Sequence, residues 1–112
     1  MKSINNISVI GTGVIGTGWI LRFLANKKKV YVYDPSLIQI KFLLEEIKRT
    51  KKVISKYYKI DSINKKNLVF CNSIKEAVSN ADLIQENVPE NIKIKKKIIK
   101  EIDKYSKHNS II

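Results

Sequence analysis

Gly11, Gly13 and Gly16 stand at G-x-G-x-x-G spacing within Val9-Ile10-Gly11-Thr12-Gly13-Val14-Ile15-Gly16, and Asp34 lies 18 positions past the last glycine. Each position suits a separate task. Gly11 permits a tight turn out of a strand. Gly13 leaves the backbone bare, so a phosphate can approach it. Gly16 lets a helix pack closely on a sheet. The first amides of that helix then meet an anion, favoured by the helix dipole. A carboxylate at Asp34 accepts hydrogen bonds from ribose hydroxyls and repels a 2′-phosphate. No Arg immediately follows it to offset that repulsion. The combination points to an adenine dinucleotide, with NAD favoured over NADP. The candidate contacts in the turn are Gly11, Thr12, Gly13, Val14, Ile15 and Gly16.

These residues need a strand before them, a helix after them and a second strand ending at Asp34. Ile4 to Ile10 is apolar and β-branched, and predicts the first strand. Val14 to about Asn26 carries a helical stripe of Ile15, Trp19, Ile20, Phe23 and Leu24. Lys27-Lys28-Lys29 closes that helix with cations at its negative end. Val30 to Tyr33 predicts the second strand, ending at Asp34-Pro35. Ser36 can cap the next helix, whose stripe reads Leu37, Ile40, Leu44, Ile47, Ile54 and Tyr58. That segment is long for a plain crossover, and a break is expected near residue 50.

Ile60 to Lys66 reads as a polar connection, and Leu68 to Cys71 as the third strand. Ser73 and Glu76 form a capping box for a short helix. Ala81 to Gln85 predicts the fourth strand. Pro89-Glu90 is expected to open a final helix striped by Ile92, Ile98, Ile99, Ile102 and Tyr105. Ser110-Ile111-Ile112 looks like the start of a fifth strand. Strands alternating with helices imply an α/β domain, a Rossmann-type parallel sheet with helices on both faces, cut at the fifth strand. The 112 residues suffice for one domain.

The net charge is +12, carried by 20 Lys and only two Arg, Arg22 and Arg49. The chain also holds 20 Ile and 10 Asn, and Lys, Ile and Asn share A/T-rich codons. The charge therefore reads as compositional bias. A nucleic-acid surface would use more Arg, so no specific nucleic-acid partner is expected. Cys71 is the single cysteine, which excludes an internal disulfide and fits a reducing cytoplasm. No signal-peptide core and no membrane-length apolar run occur, so no membrane partner is expected either. No metal-ligand cluster stands out. Cys71 reads as a small buried residue, His108 as a surface loop residue and Gly18 as a close-packing position.

The stretches Val9 to Trp19, Arg22-Phe23-Leu24, Tyr33-Asp34-Pro35 and Ala81-Asp82-Leu83-Ile84-Gln85-Glu86-Asn87-Val88-Pro89-Glu90-Asn91 resemble the 3-hydroxyacyl-CoA dehydrogenase superfamily. More narrowly, they look like its L-carnitine dehydrogenase branch, with the L-gulonate 3-dehydrogenase (lambda-crystallin) group close by. The run Ile-Gln-Glu-x-Val-Pro-Glu is far more specific than the glycine turn. The resemblance implies that residues 1–112 are an NAD-binding domain, that Gly11 to Gly16 hold phosphate, and that Asp34 holds ribose. It also implies that Glu90 and Lys95 are cofactor contacts.

The implied activity is hydride transfer from the 3-hydroxyl carbon of a small hydroxy acid, carnitine or hydroxyacyl-CoA to NAD⁺, in a homodimer. The family continues past the fifth strand with a Ser/Thr-rich segment, a catalytic His paired with Glu, and a helical domain. These 112 residues stop at Ile112, so no catalytic residue is expected here and the chain alone should be inactive. Two other readings compete: a non-catalytic NAD-binding module, and a nucleic-acid binder using the Lys-rich stretches Lys48 to Lys52 and Lys93 to Lys97.

Overall fold

The structure is a computed structural model that describes residues 3–58, 65–88 and 91–112. Among the described residues, strands β1 (Asn6–Ile10), β2 (Lys29–Tyr33), β3 (Leu68–Phe70) and β4 (Leu83–Glu86) alternate with helices α1 (Val14–Ala25), α2 (Leu37–Tyr58), α3 (Ile74–Val78) and α4 (Ile92–Tyr105). The strands form one parallel sheet in the order β3-β2-β1-β4. The chain moves outward from β1 to β3, then crosses back to place β4 on the other side of β1. This reversal makes a switch point, where the loops after β1 and β4 diverge and open a crevice.

The sheet is covered on both faces, which explains its near-continuous apolar strands. On one face Ile7, Val9, Val30 and Val32 pack against Ile20 and Leu24 of α1 and Leu43 and Ile47 of α2. On the other face Ile10 and Ile84 pack against Ile74, Ala77 and Val78 of α3, with Ala81 and Ile102 of α4. Each fully buried Ile or Leu contributes about 1.5–3 kcal/mol by leaving water. That burial holds the β1 end and the start of α1 in a fixed relation.

The expected order is borne out, with shifted edges. β1 begins at Asn6, β2 gains Lys29, and β4 runs Leu83–Glu86. The expected fifth strand is present as a single parallel bridge from Ile111 to Leu83. No break occurs near residue 50, because α2 continues unbroken to Tyr58. The helix α4 starts at Ile92 rather than at Pro89-Glu90. Asn91 is its cap, accepting from the Lys93 and Ile94 amides through Oδ1. Ser36 caps α2 as expected, accepting from the Gln39 amide at 3.4 Å. Ser73 accepts from the Glu76 amide at 3.1 Å, and the Glu76 carboxylate accepts from the Asn72 amide at 3.2 Å.

The helical stripes need more correction. Leu37 is 84% exposed and Ile15 71% exposed, and Leu44, Ile92 and Ile99 also face outward. Leu43 takes the buried position expected for Leu44. Trp19 is at the surface, where it stacks on Phe23 at 5.7 Å between ring centroids and lies under the Arg22 guanidinium. Gly18 is not a packing position, because a Cβ there would meet only open space. The expected stripe residues Ile54 and Tyr58 belong to side chains outside the described set. The connection expected at Ile60 to Lys66 lies outside the described residues up to Asn64.

Candidate functional site

Gly11 ends β1 with φ +97, a backbone region that L side chains rarely adopt, and a Cβ there would lie 3.1 Å from the Asn87 carbonyl. A Cβ on Gly16 would lie 2.1 Å from the Gly11 carbonyl oxygen. These two glycines are required by the turn's own packing. Gly13 differs, since a Cβ there would touch nothing within 4 Å. Its bareness leaves room at the start of α1. Gly13 is the N-cap of α1, but it offers no side-chain cap, and the first turn carries no acidic residue. Among the described residues, no side chain caps the opening amides of α1 or its positive dipole end.

Thr12 links this turn to β2. It is fully buried. Its amide and its hydroxyl both donate to Asp34 Oδ2, at 2.8 and 2.9 Å. The Thr17 hydroxyl donates to the Thr12 carbonyl at 2.9 Å, tying the turn to α1. Asp34 Oδ1 accepts from the Ser36 amide at 2.9 Å. A carboxylate offers about four acceptor sites, and three are used here. The remaining one belongs to Oδ1.

The segment after β4 forms the opposite wall. The Asn87 amide donates to the Ile10 carbonyl at 2.8 Å, extending the β1–β4 ladder by one rung. Its Oδ1 accepts from Gln85 Nε2 at 3.2 Å, whereas its Nδ2 is buried with no partner among the described residues. Glu86 accepts from the Val88 amide at 2.7 Å through Oε1. Its Oε2 lies 3.5 Å from Lys95 Nζ.

Between these walls lies a cleft of about 380 Å³, within the size range of small-molecule sites. Gly11, Thr12, Gly13, Asp34, Asn87 and Val88 line it, with Ile94 and Ile98 of α4 on the apolar side. A ligand with an apolar flat portion, a hydroxylated ring and an anionic group matches these surfaces: aliphatic wall, carboxylate, bare helix start. The donor left over at Asn87 Nδ2 adds a polar atom that the fold itself does not satisfy.

The predicted residues divide accordingly. The fold brings Gly11, Thr12, Gly13 and Asp34 into one cleft, with Gly16 packed beneath them. The side chains of Val14 and Ile15 turn away, into a shallow groove with Gly18, Trp19 and Arg22. Lys95 reaches Glu86 at 3.5 Å. Glu90 lies outside the described residues. Sequence reasoning assigned no cofactor contact to Glu86, Asn87, Val88, Ile94 or Ile98. Ile94 and Ile98 are four apart on one helix face, which was the available signal.

Of the two residues read as uninvolved, His108 is exposed as expected, whereas Cys71 is only partly buried. Burial, with the nearby Glu76 carboxylate adding to it, pushes the half-buried Cys71 thiol up to about 11, so it is protonated near neutral pH and a poor nucleophile. His108 is exposed and sits between Lys107, which binds Asp82, and Ser110, which binds the Ala81 carbonyl. Both partners precede β4, so His108 lies at the edge of the sheet opposite the cleft. Among the described residues no group of three or more His, Cys, Asp or Glu could hold a metal ion. Among them, too, no helix is long and apolar enough to cross a membrane.

Known proteins resemble this chain in sequence and in fold. L-carnitine dehydrogenase of Oceanobacillus iheyensis is 42% identical over 106 residues, covering 95% of this chain and 34% of that protein. L-carnitine dehydrogenase of Bacillus cereus is 39% identical over 111 residues, covering 99% and 34%. The chain thus spans about a third of the length of these relatives. Among solved structures, (S)-3-hydroxybutyryl-CoA dehydrogenase of Ralstonia eutropha superposes with a TM-score of 0.85 at 22% identity, over 98% of this chain and 40% of that one. An NAD⁺-dependent dismutase, 5-formyl-3-hydroxy-2-methylpyridine 4-carboxylic acid 5-dehydrogenase, superposes at 0.82 with 32% identity, over 97% and 36%. The family model for the 3-hydroxyacyl-CoA dehydrogenase NAD-binding domain matches residues 6–112. The matched residues take in all but the first five of the chain, and the chain belongs to the 3-hydroxyacyl-CoA dehydrogenase family as an NAD-binding domain.

Proposed function

We propose that the cleft holds the adenosine and pyrophosphate of NAD for an NAD-dependent dehydrogenase of small 3-hydroxy acids, carnitine-like in substrate class. One observation carries this reading: the bare Gly13 at an uncapped helix start and the Asp34 carboxylate line the same cleft. The amides opening α1 receive the pyrophosphate. Asp34 receives a ribose hydroxyl and opposes a 2′-phosphate, so NAD is preferred over NADP. Ile94, Ile98 and Val88 cover the adenine. Glu90 and Lys95 are further cofactor contacts, with Lys95 exchanging its Glu86 partner for the cofactor. Bound NAD⁺ accepts a hydride from the carbon bearing the substrate's 3-hydroxyl.

Among the described residues no histidine lines this cleft, and its lining suits cofactor binding. The domain works as part of a cytoplasmic homodimeric enzyme. The L-carnitine dehydrogenases among its relatives favour a carnitine-like hydroxy acid over a hydroxyacyl-CoA.

Titration with NADH and NADPH, followed by cofactor fluorescence, tests the reading. The unmutated chain binds NADH more tightly than NADPH, and Asp34→Ala narrows the gap. Equal binding of both cofactors by a chain whose circular dichroism shows it folded removes Asp34 from the assignment.

A further inference from the structure

Thr12 is the only turn residue that spends both an amide and a side chain on Asp34, at 2.8 and 2.9 Å. The two bonds fill Oδ2, and the Ser36 amide takes one site on Oδ1. One acceptor position then remains, on Oδ1, and Asp34 is one of the residues that line the cleft. Packing does not explain the hydroxyl, since Val has the same shape and would fill this fully buried position. A buried hydroxyl that donates to a carboxylate instead fixes the direction of that carboxylate's free lone pair.

We propose that Thr12 is a positioning residue for cofactor specificity: its hydroxyl holds Asp34 so that one oxygen is presented to the ribose diol and its charge stays where a 2′-phosphate would sit. This rests on the NAD reading of the cleft and deepens it. Without the hydroxyl, the Thr12 and Ser36 amides still bind the carboxylate, but its orientation is looser. The ribose then loses a pre-placed acceptor, and a 2′-phosphate meets a charge that can turn aside. NADH and NADPH share adenine, pyrophosphate and nicotinamide, and differ only at the 2′ position. A general loosening of the turn therefore weakens both equally, whereas loss of positioning weakens NADH selectively.

The test compares NADH and NADPH dissociation constants for the unmutated chain, Thr12→Val and Thr12→Ser, with circular dichroism on each. We expect Thr12→Val to raise the NADH constant about fivefold to tenfold, the scale of one ordinary intramolecular hydrogen bond. The NADPH constant should move less than about twofold, because the hydroxyl does not touch the parts the cofactors share. Thr12→Ser, which keeps the hydroxyl, retains the preference for NADH. If Thr12→Val weakens both cofactors equally or leaves the preference intact, the proposal is overturned while the NAD reading stands. If the unmutated chain shows no preference, the role of Asp34 fails first, and this proposal with it. Should Thr12→Val not fold, Thr12→Ala creates no overpacking and gives the same readout.

Discussion

Gly13 and Gly16 lack side chains for different reasons, and the difference can be measured. A Cβ on Gly16 would lie 2.1 Å from the Gly11 carbonyl, so Gly16→Ala must push α1 off the turn. Overpacking of this kind costs about 1–3 kcal/mol, and NADH binding falls along with stability. A Cβ on Gly13 meets nothing within 4 Å. Gly13→Ala should change unfolding free energy by less than about 1 kcal/mol, since poorer capping and a stiffer unfolded chain offset each other. It should still weaken NADH binding, because the new methyl occupies the space kept for the pyrophosphate. Urea denaturation beside a cofactor titration checks the pair, and a Gly13→Ala chain that binds NADH normally would refute the assignment of that space. At this scale the sequence was readable where a role depends on local spacing, as in the glycine turn and Asp34. The Glu86–Lys95 pair and the unpartnered Asn87 Nδ2 were not readable, since they arise where β4 meets α4 and the turn.

The helix ends show how the elements are made. α1 stops at Ala25, after which the Lys28 amide donates to the Phe23 carbonyl and the Lys27 amide to the Leu24 carbonyl. This is the paired bonding of a Schellman motif, and it puts Lys27 at φ 60. Glycine suits that conformation, and lysine does not. Lys27→Gly should therefore raise stability by about 0.5–1 kcal/mol, measured as a higher urea midpoint with an unchanged slope. A neutral or negative change would mean that the lysine charge at the helix end outweighs the backbone strain. Sequence periodicity found α1, α2 and α4, yet placed Leu37, Leu44 and Ile15 on buried faces that they do not occupy. An Ile/Leu-rich helix offers several apolar stripes, and only the position of the sheet selects among them.

The whole molecule is closed at the edge opposite the cleft by Asp82, just before β4. Its Oδ2 accepts from the Asn5 and Asn6 amides, each at 3.0 Å, and its Oδ1 from Lys107 Nζ at 2.6 Å. One carboxylate thus joins the start of β1, the start of β4 and the chain after α4. The hydrogen bond from Lys107, then those from the Asn6 and Asn5 amides, hold this carboxyl well below the usual carboxylate range. The folded state therefore binds the proton more weakly than the unfolded chain does. The resulting stability is complete above the unfolded value of about 4 and is lost as pH falls through and below it. Asp82→Asn should unfold at lower urea than the unmutated chain at pH 7, and lose less between pH 5 and pH 3. If both chains lose stability in parallel over that interval, Asp82 is not the group responsible.

What the sequence determined by itself was whatever depends on near neighbours along the chain. That covers the alternation of strands and helices, the glycine turn, the carboxylate 18 residues past it and the Ser73 cap. Tertiary structure decided the rest, because burial and hydrogen-bond partners depend on which surfaces meet. The reversal between β3 and β4 put Asn87 and Val88 across from Gly11, brought Ile94 and Ile98 over the cleft, and left His108 at the far edge. It also placed the Thr12 amide and hydroxyl on Asp34, where two residues 22 apart in sequence share two hydrogen bonds.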